Sequence, residues 1–296
     1  MSNALKISVG LLLSILPALG AEEHTSLQAL RALVATENNF SRASVEHGIR
    51  DSFLQFFADD SIIFAPQPKN GKKFYTNYED KGRKLIWQPI FATIANSADL
   101  GVTTGPWEMK KSASDDTPIA FGQFVSVWKK QPDKSWKVIV DVGIDNPQPK
   151  KPPVQVQLSP PNEVLQSKDV DLARRALENA EIAFAKALTE DEGGAIVTWA
   201  SNDIRVFREN AFPAVGKTTA KLLLGADTAK MTRTSSGGGM SASADLAYRY
   251  GAYSADRTNV TERGYFLSVW KTELNGAWKI IVDLQKKAPT PSPTPE

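Results

Sequence analysis

Two carboxylate positions recur in this sequence. Glu37 interrupts an apolar stripe at helical spacing, Leu27, Leu30, Val34, Glu37, Phe40 and Ser44. Glu181 stands the same distance before Phe184 in a second such stripe, Val170, Ala173, Leu177, Ala180, Phe184 and Leu188. Asp141 and Asp283 stand near the ends of two matching strand patterns, WKVIVD and WKIIVD. If a Glu and an Asp of one copy met in an apolar pocket, repulsion and desolvation would raise one pKa and leave an acid beside a base. Such a pair abstracts a proton next to a carbonyl. The plainer alternative is that each carboxylate is paired with a nearby Arg or Lys, or lies at a sheet edge, because structural ion pairs outnumber catalytic dyads.

Other chemistries find little support. With no cysteine there is no thiol chemistry and no disulfide framework. The two histidines, His24 and His47, are far apart and the second half has none, so no metal site or triad is expected. Gly237-Gly238-Gly239 follows no strand-to-helix pattern and reads as a flexible hairpin turn, not a phosphate loop. No cofactor is implied. Asp60 and Asp203 fall at helix-to-strand turns, where Asp bonds backbone.

Strand alternation supplies candidate ligand-binding residues. Trp136, Val138, Val140 and Val142 are expected on one face, with Lys137, Ile139 and Asp141 on the other. On the preceding strand Gln123, Val125 and Val127 share a face, matched by Tyr265, Leu267 and Val269. Gln123 and Tyr265 are therefore ligand candidates. Tyr248 and Tyr250 also share a face, and either line a pocket or pack a sheet.

The elements that must position these residues occur twice. FVSVWKKQPDKSWKVIVDV returns as FLSVWKTELNGAWKIIVDL at a constant separation of 142 residues, from Trp128 to Trp270 and from Trp136 to Trp278. We read each as the closing β-hairpin of a duplicated domain, its tryptophans being framework. Before the first hairpin, Thr25-x-x-Gln28 has capping-box spacing and predicts a helix from Thr25. A second helix is expected over about Ile49 to Phe57, then a short strand at Ser61 to Phe64. Strands follow over Leu85 to Ala95 and Leu100 to Met109, about a turn at Asn96 to Asp99. Pro68-x-x-Gly71-Lys72 and Ser97-Ala98-Asp99-Leu100 recur as Pro213-x-x-Gly216-Lys217 and Ser243-Ala244-Asp245-Leu246. Separation between the copies drifts only in expected loops, as in a true duplication.

The chain thus divides into a signal peptide over 1–20, a first domain over 21–146, a proline-rich linker over 147–167, a second domain over 168–287 and a disordered tail over 288–296. The signal rests on Lys6, the apolar run Val9 to Leu19 and the small residues of Ala18-Leu19-Gly20. It predicts export to a bacterial periplasm or exterior, with no integral membrane segment after cleavage. Apolar residues make up 42% and charged residues 23%, with a net charge of +2. That balance is ordinary for a globular protein and points to neither nucleic acid nor an anionic membrane as partner.

Helices followed by a curved sheet with a Trp-bracketed hairpin resemble the cone fold of nuclear transport factor 2-like proteins. The nearest likeness is to the SnoaL-like branch of the superfamily that also holds ketosteroid isomerases. It is carried by Glu37-x-x-Phe40-x-x-Ala43, Phe57-Ala58-Asp59-Asp60, Asn70-Gly71, Asp99-Leu100-Gly101-x-x-x-Gly105-Pro106-Trp107 and Val125-Ser126-Val127-Trp128. In the second half the counterparts are Glu181-x-x-Phe184-x-x-Ala187, Gly216, Asp245-Leu246 and Ser268-Val269-Trp270. The resemblance implies an α+β chain of two tandem cone-shaped domains, each with N-terminal helices on a strongly curved, mostly antiparallel sheet. It also implies an intramolecular pseudo-dimer through the outer sheet faces. The functional expectation is binding of a small apolar or amphipathic ligand. The alternatives are an isomerase, dehydratase or hydrolase using Glu37 and Asp141, with Glu181 and Asp283 as second-copy equivalents, or a non-catalytic protein-interaction module.

Overall fold

A computed structural model describes residues 19–151, 155–161, 169–225, 229–257 and 260–289, with side chains from residue 26 onward. Almost all of the expected signal segment, the linker over 162–168 and nearly all of the tail lie outside the described residues.

The first domain opens with α1 (Leu19–His47) and α2 (Ile49–Phe56). α1 runs through Thr25 instead of starting there. Nothing between Gly20 and Thr25 opposes a helix, so the capping-box spacing marks no boundary. Gly48, at φ 91°, makes the sharp corner between the two helices. The chain then forms β1 (Phe57–Phe64), β2 (Pro68–Asn70) and α3 (Gly71–Thr76), with Asn70 capping α3 through the Lys73 N–H. The single strand expected over Leu85 to Ala95 is two, β3 (Lys84–Trp87) and β4 (Phe91–Ile94). Pro89 lacks the N–H that a continuous ladder needs, and both strands pair with β5 (Leu100–Lys110) on either side of the break. The hairpin β6 (Ala120–Lys130) and β7 (Trp136–Asp145) follows. Part of the linker, β8 (Gln157–Ser159), lies parallel to β4 at the sheet edge, where proline-flanked strands are tolerated. The sheet order is β2-β1-β7-β6-β5-β4-β8, antiparallel except for β1 on β7 and β8 on β4.

The second domain repeats the plan with α4 (Val170–Leu188), α5 (Glu192–Trp199), β9 (Ala200–Arg208), β10 (Ala214–Val215) and α6 (Lys217–Leu224). Its long strands are β11 (Lys230–Met240), β12 (Leu246–Arg257), β13 (Val260–Thr272) and β14 (Trp278–Lys287), in the order β10-β9-β14-β13-β12-β11. The glycines 237–239 are not a turn. They lie within β11 opposite Tyr250, Arg249 and Tyr248. A Cβ on Gly237 would stand 2.5 Å from the Tyr250 hydroxyl, and one on Gly239 2.8 Å from the Tyr248 ring. Glycine is needed because tyrosine rings lie over the strand. The turn itself is at Ser241 to Asp245, with Ala244 at φ 53°.

Each domain has an apolar core between its helices and the inner sheet face, built in the first around Leu33, Phe40, Phe53, Trp87 and Trp128 and in the second around Leu177, Phe184, Ile204 and Trp270. A third cluster belongs to both sheets at once. Val125, Val127, Val140 and Val142 of the first domain meet Leu267, Val269, Val282 and Leu284 of the second. The outer faces of the two sheets are therefore packed on each other. At the rim the bonds are reciprocal: the Ser97 N–H donates to the Ser243 hydroxyl and the Ser243 N–H to the Ser97 hydroxyl (3.0 and 3.1 Å). Asp245 accepts from the Asn96 N–H while Asp99 accepts from the Ala242 N–H (2.9 and 3.0 Å). Reciprocity of this kind is the mark of an isologous contact.

Candidate functional site

Which residues face the inside of each cone is decided by one irregularity. The β6–β7 register pairs Val127 with Val140 but Trp128 with Val138, so Ile139 is an extra residue in β7. A bulge reverses the alternation that follows it. Trp136 and Val138 face the helices. Beyond the bulge Val140 and Val142 face the other domain, and Asp141 turns inward. The expectation that Trp136 through Val142 share a face is thus corrected at Ile139. The second copy repeats the device, with Ile281 between Ile280 and Val282.

Asp141 opens onto a cavity of about 290 Å³. Its walls are aromatic: Phe40, Phe53, Phe74, Tyr75, Tyr78, Trp87, Trp107 and Phe124. α1 and α2 contribute Phe40 and Phe53, α3 and the chain after it Phe74, Tyr75 and Tyr78, and the curved strands the remainder. The polar groups are few: Ser126, Asp141 and Asp145 on the sheet, and Lys286 from the second domain. The Ser126 hydroxyl donates to Asp141 Oδ1 at 2.7 Å. Burial among the rings pushes the Asp141 carboxyl up to about 6, against the lowering effects of Ser126 and Lys286. Burial, with Asp141 next, pushes the Tyr75 phenol well above its usual value.

Glu37 is fully buried but does not line the cavity. It stands behind Trp87. Trp87 Nε1 donates to its Oε1 at 2.6 Å, and the Thr103 hydroxyl and Trp128 Nε1 donate to its Oε2 at 2.5 and 2.9 Å. Burial raises this carboxyl to about 7, although the three hydrogen bonds pull the other way. Glu37 is therefore a bracket for the two indoles, and Asp141 is the carboxylate that a ligand would meet.

The second copy treats the same positions differently. Glu181 pairs with Arg249, Nε to Oε1 2.8 Å, where Arg249 stands in the place of Thr103. Asp283 lies fully buried between Arg208 (Nη2 to Oδ1 2.9 Å) and Arg233 (Nη1 to Oδ2 2.7 Å). Burial alone would raise its carboxyl, but the two guanidiniums outweigh that and hold it below the usual carboxylate range. Strand register puts Arg233 opposite Tyr253, as Trp87 is opposite Trp107. Gln285, two residues beyond Asp283, stands where the first copy has Gly143 and donates to Glu192 at 2.8 Å. Beside Asp283 the space is taken by Arg208, Arg233 and Gln285, and what stays open at the matching place is a smaller, polar cavity of about 220 Å³ lined by Arg208, Tyr253, Gln285 and Lys287, the counterparts of Ala65, Trp107, Gly143 and Asp145. A groove of about 410 Å³ in that domain lies beside α4, lined by Phe184, Arg233, Arg249 and Trp270, and does not include Asp283.

The residues expected to touch a ligand lie elsewhere. Gln123 is buried, bonded to Asn146 at 3.3 Å, and is not in the cavity wall. Tyr248, Tyr250 and Tyr265 pack on the cluster between the sheets, with Tyr250 and Tyr265 centred 6.4 and 6.2 Å from Phe64. In the strands that carry these four residues the alternation was read correctly, but the face assigned to the pocket is the one that joins the domains. The wall residues Tyr75, Tyr78 and Trp107 carried no periodic signal of their own. Phe124 and Ser126 did: they alternate with Gln123, Val125 and Val127 on the same strand.

Neither a protein-family model nor a curated protein sequence matches the chain. Among solved structures it is similar to a ketosteroid isomerase-like protein from Erwinia carotovora atroseptica, at 18% identity and TM-score 0.32, covering 42% of this chain and 99% of that one. It is similar to a nuclear transport factor 2-like protein with a cystatin-like fold from Novosphingobium aromaticivorans, at 10% identity and TM-score 0.33, covering 39% of this chain and 82% of that one. A protein of unknown function with a cystatin-like fold from Nostoc punctiforme matches at 14% identity and TM-score 0.31, covering 40% of this chain and 93% of that one.

Proposed function

We propose that the first domain is a receptor for a small, flat, largely apolar molecule, and that the second domain serves as its scaffold. One observation carries this reading: an aromatic-walled cavity of about 290 Å³ onto which the buried Asp141 opens, where the second copy has a smaller cavity with a polar lining. Cavities of this size and lining are the usual form of small-molecule sites. Export is part of the proposal and is supported by the charge and apolar pattern before Ala21. The test is a titration with N-phenyl-1-naphthylamine, whose emission rises in apolar sites. Saturable binding is expected in the intact protein and its loss in Gly143→Leu. A Cβ at Gly143 meets only Trp107 Nε1, at 3.5 Å, so the added side chain grows into the cavity without striking backbone. Binding unaffected by Gly143→Leu would remove the site from the first cone.

A second reading is catalytic, and Asp141 favours it. A carboxylate held by one serine, in an apolar cavity, titrating at about 6, is a competent general base near neutral pH. It would take a proton from the carbon next to a ligand carbonyl and return it. Exchange of solvent deuterium into the acetyl group of 2-acetylnaphthalene measures this step. Exchange that Asp141→Asn abolishes supports an enzyme; binding without exchange leaves a receptor.

A further inference from the structure

Among the described residues Lys286 is the one cavity-lining residue that does not belong to the first domain. It sits on β14, and its Nζ donates to the Gly143 carbonyl at 2.5 Å, across the interface between the sheets. In the first copy the corresponding place on β7 is Ile144, which is fully buried in the shared apolar cluster. The two copies are otherwise alike up to this point, VD-V-G-I-D against VD-L-Q-K-K. The substitutions act together. Gly143 leaves the floor of the first cavity open, and Lys286 brings a cation to it from the other copy.

We propose that Lys286 is a specificity-determining residue of the first-domain cavity, supplied by the second domain, and that it selects ligands carrying a carbonyl or similar neutral oxygen acceptor. The proposal rests on the receptor reading above and names the ligand's polar feature. An ammonium has three donor hydrogens, and the Gly143 carbonyl takes one. Among the described residues Lys286 has no ion pair, so donors are left for a ligand. The other charged groups in the wall, Asp141 and Asp145, are both acids and disfavour a carboxylate ligand. What complements an ammonium beside two acids is a neutral acceptor, its oxygen at Lys286 and its carbon skeleton against the aromatic rings. The duplication then has a chemical consequence: a single cone would lack its cation.

Three naphthalene probes of one shape test this, with binding read from quenching of tryptophan fluorescence: 2-ethylnaphthalene, 2-acetylnaphthalene and 2-naphthoate. A charge-assisted hydrogen bond predicts a preference of about tenfold for the acetyl over the ethyl compound in the intact protein. Lys286→Met should bring the two within about twofold of each other, and Lys286→Arg, which keeps a charged donor, should retain the preference. A preference that survives Lys286→Met overturns the proposal, as does tightest binding of 2-naphthoate or no preference in the intact protein. Failure of all three probes to bind refutes the receptor reading itself, which separates the two results.

Discussion

Glu37 and Asp141 are both carboxylates on the inner side of one cone, yet their surroundings assign them different work. Glu37 accepts from two indole N–H groups and the Thr103 hydroxyl, all taken from water; its removal leaves Trp87 Nε1 and the Thr103 hydroxyl without an acceptor, while Trp128 Nε1 keeps Thr103 Oγ1 at 3.0 Å. We expect Glu37→Leu to cost about 3 kcal/mol by chemical denaturation, since each unsatisfied buried donor costs roughly 1–3 kcal/mol. Glu37→Gln keeps an acceptor and should cost much less. It should also flatten part of the pH dependence. A carboxyl raised to about 7 when folded stabilises the fold fully below the unfolded value of 4.5, and that stability is lost as pH rises through 7. The slope between those limits should weaken in Glu37→Gln. For Asp141 the window lies between 3.8 and about 6. Allowing for solvent that reaches it through the cavity, Asp141→Asn should raise stability by roughly 1–2 kcal/mol above pH 6 and leave it unchanged below 4. A variant that is more stable but loses ligand or turnover is the expected signature of a site residue. Both carboxylates were legible in the sequence, because each is a polar residue in an apolar pattern found twice. Their separate roles were not, because those depend on Trp87 and Thr103, which come from distant strands.

At the scale of the element, the hairpin is the clearest signal in the sequence, and the bulge within it is the point that sequence could not show. Period two places Asp141 on the face opposite Val138 and Val140 together; Ile139, as an extra residue, separates those two valines and turns Asp141 inward. Nothing in the residue types around Ile139 marks it, since Val and Ile suit either face. Gln123 and Tyr265 owe their place to a different cause: their strands alternate without an extra residue, and the face they share with Val125 and Leu267 is the one that joins the sheets. Deleting Ile139 removes the extra residue, brings Val138 and Val140 into successive positions opposite Trp128 and Val127, and leaves Asp141 on the inner face. Probe binding should therefore survive the deletion, while the thermal midpoint falls because the Ile139 side chain is lost from the cluster between the sheets. Loss of binding in a deletion variant that still folds would show that the bulge positions Asp141 beyond setting its face. The glycine run in β11 failed as a turn for a comparable reason. Its neighbours Tyr248 and Tyr250 lie across the partner strand, and cross-strand pairs are invisible to a reading that moves along the chain.

At the scale of the molecule, the duplication was plain in the sequence, but what the two copies do differently appears only when their interiors are compared. The first cone keeps glycine and aromatic residues around its Asp, and the second crowds its Asp with Arg208, Arg233 and Gln285 and leaves only a smaller, polar cavity beside them. An ion-pair interior of this kind holds a shape and offers no apolar hollow to a ligand beside Asp283. The outer faces stayed alike, because both must fit one shared interface, and the apolar cluster there draws on both sheets. Two domains joined this way should unfold as one cooperative unit. The reciprocal rim bonds of Asp99 and Asp245 hold the sheets in register without contributing to that cluster. Replacing both by alanine should therefore loosen the domains before it unfolds either one. Calorimetry should show the single transition of the intact chain separate into two. The Asp141 carboxyl should titrate higher in the double variant, because Lys286, which lowers it, is held in place only while the sheets are docked. A single transition and an unmoved Asp141 titration would mean that the apolar faces alone set the register. The cation would then reach the first cavity without help from the rim.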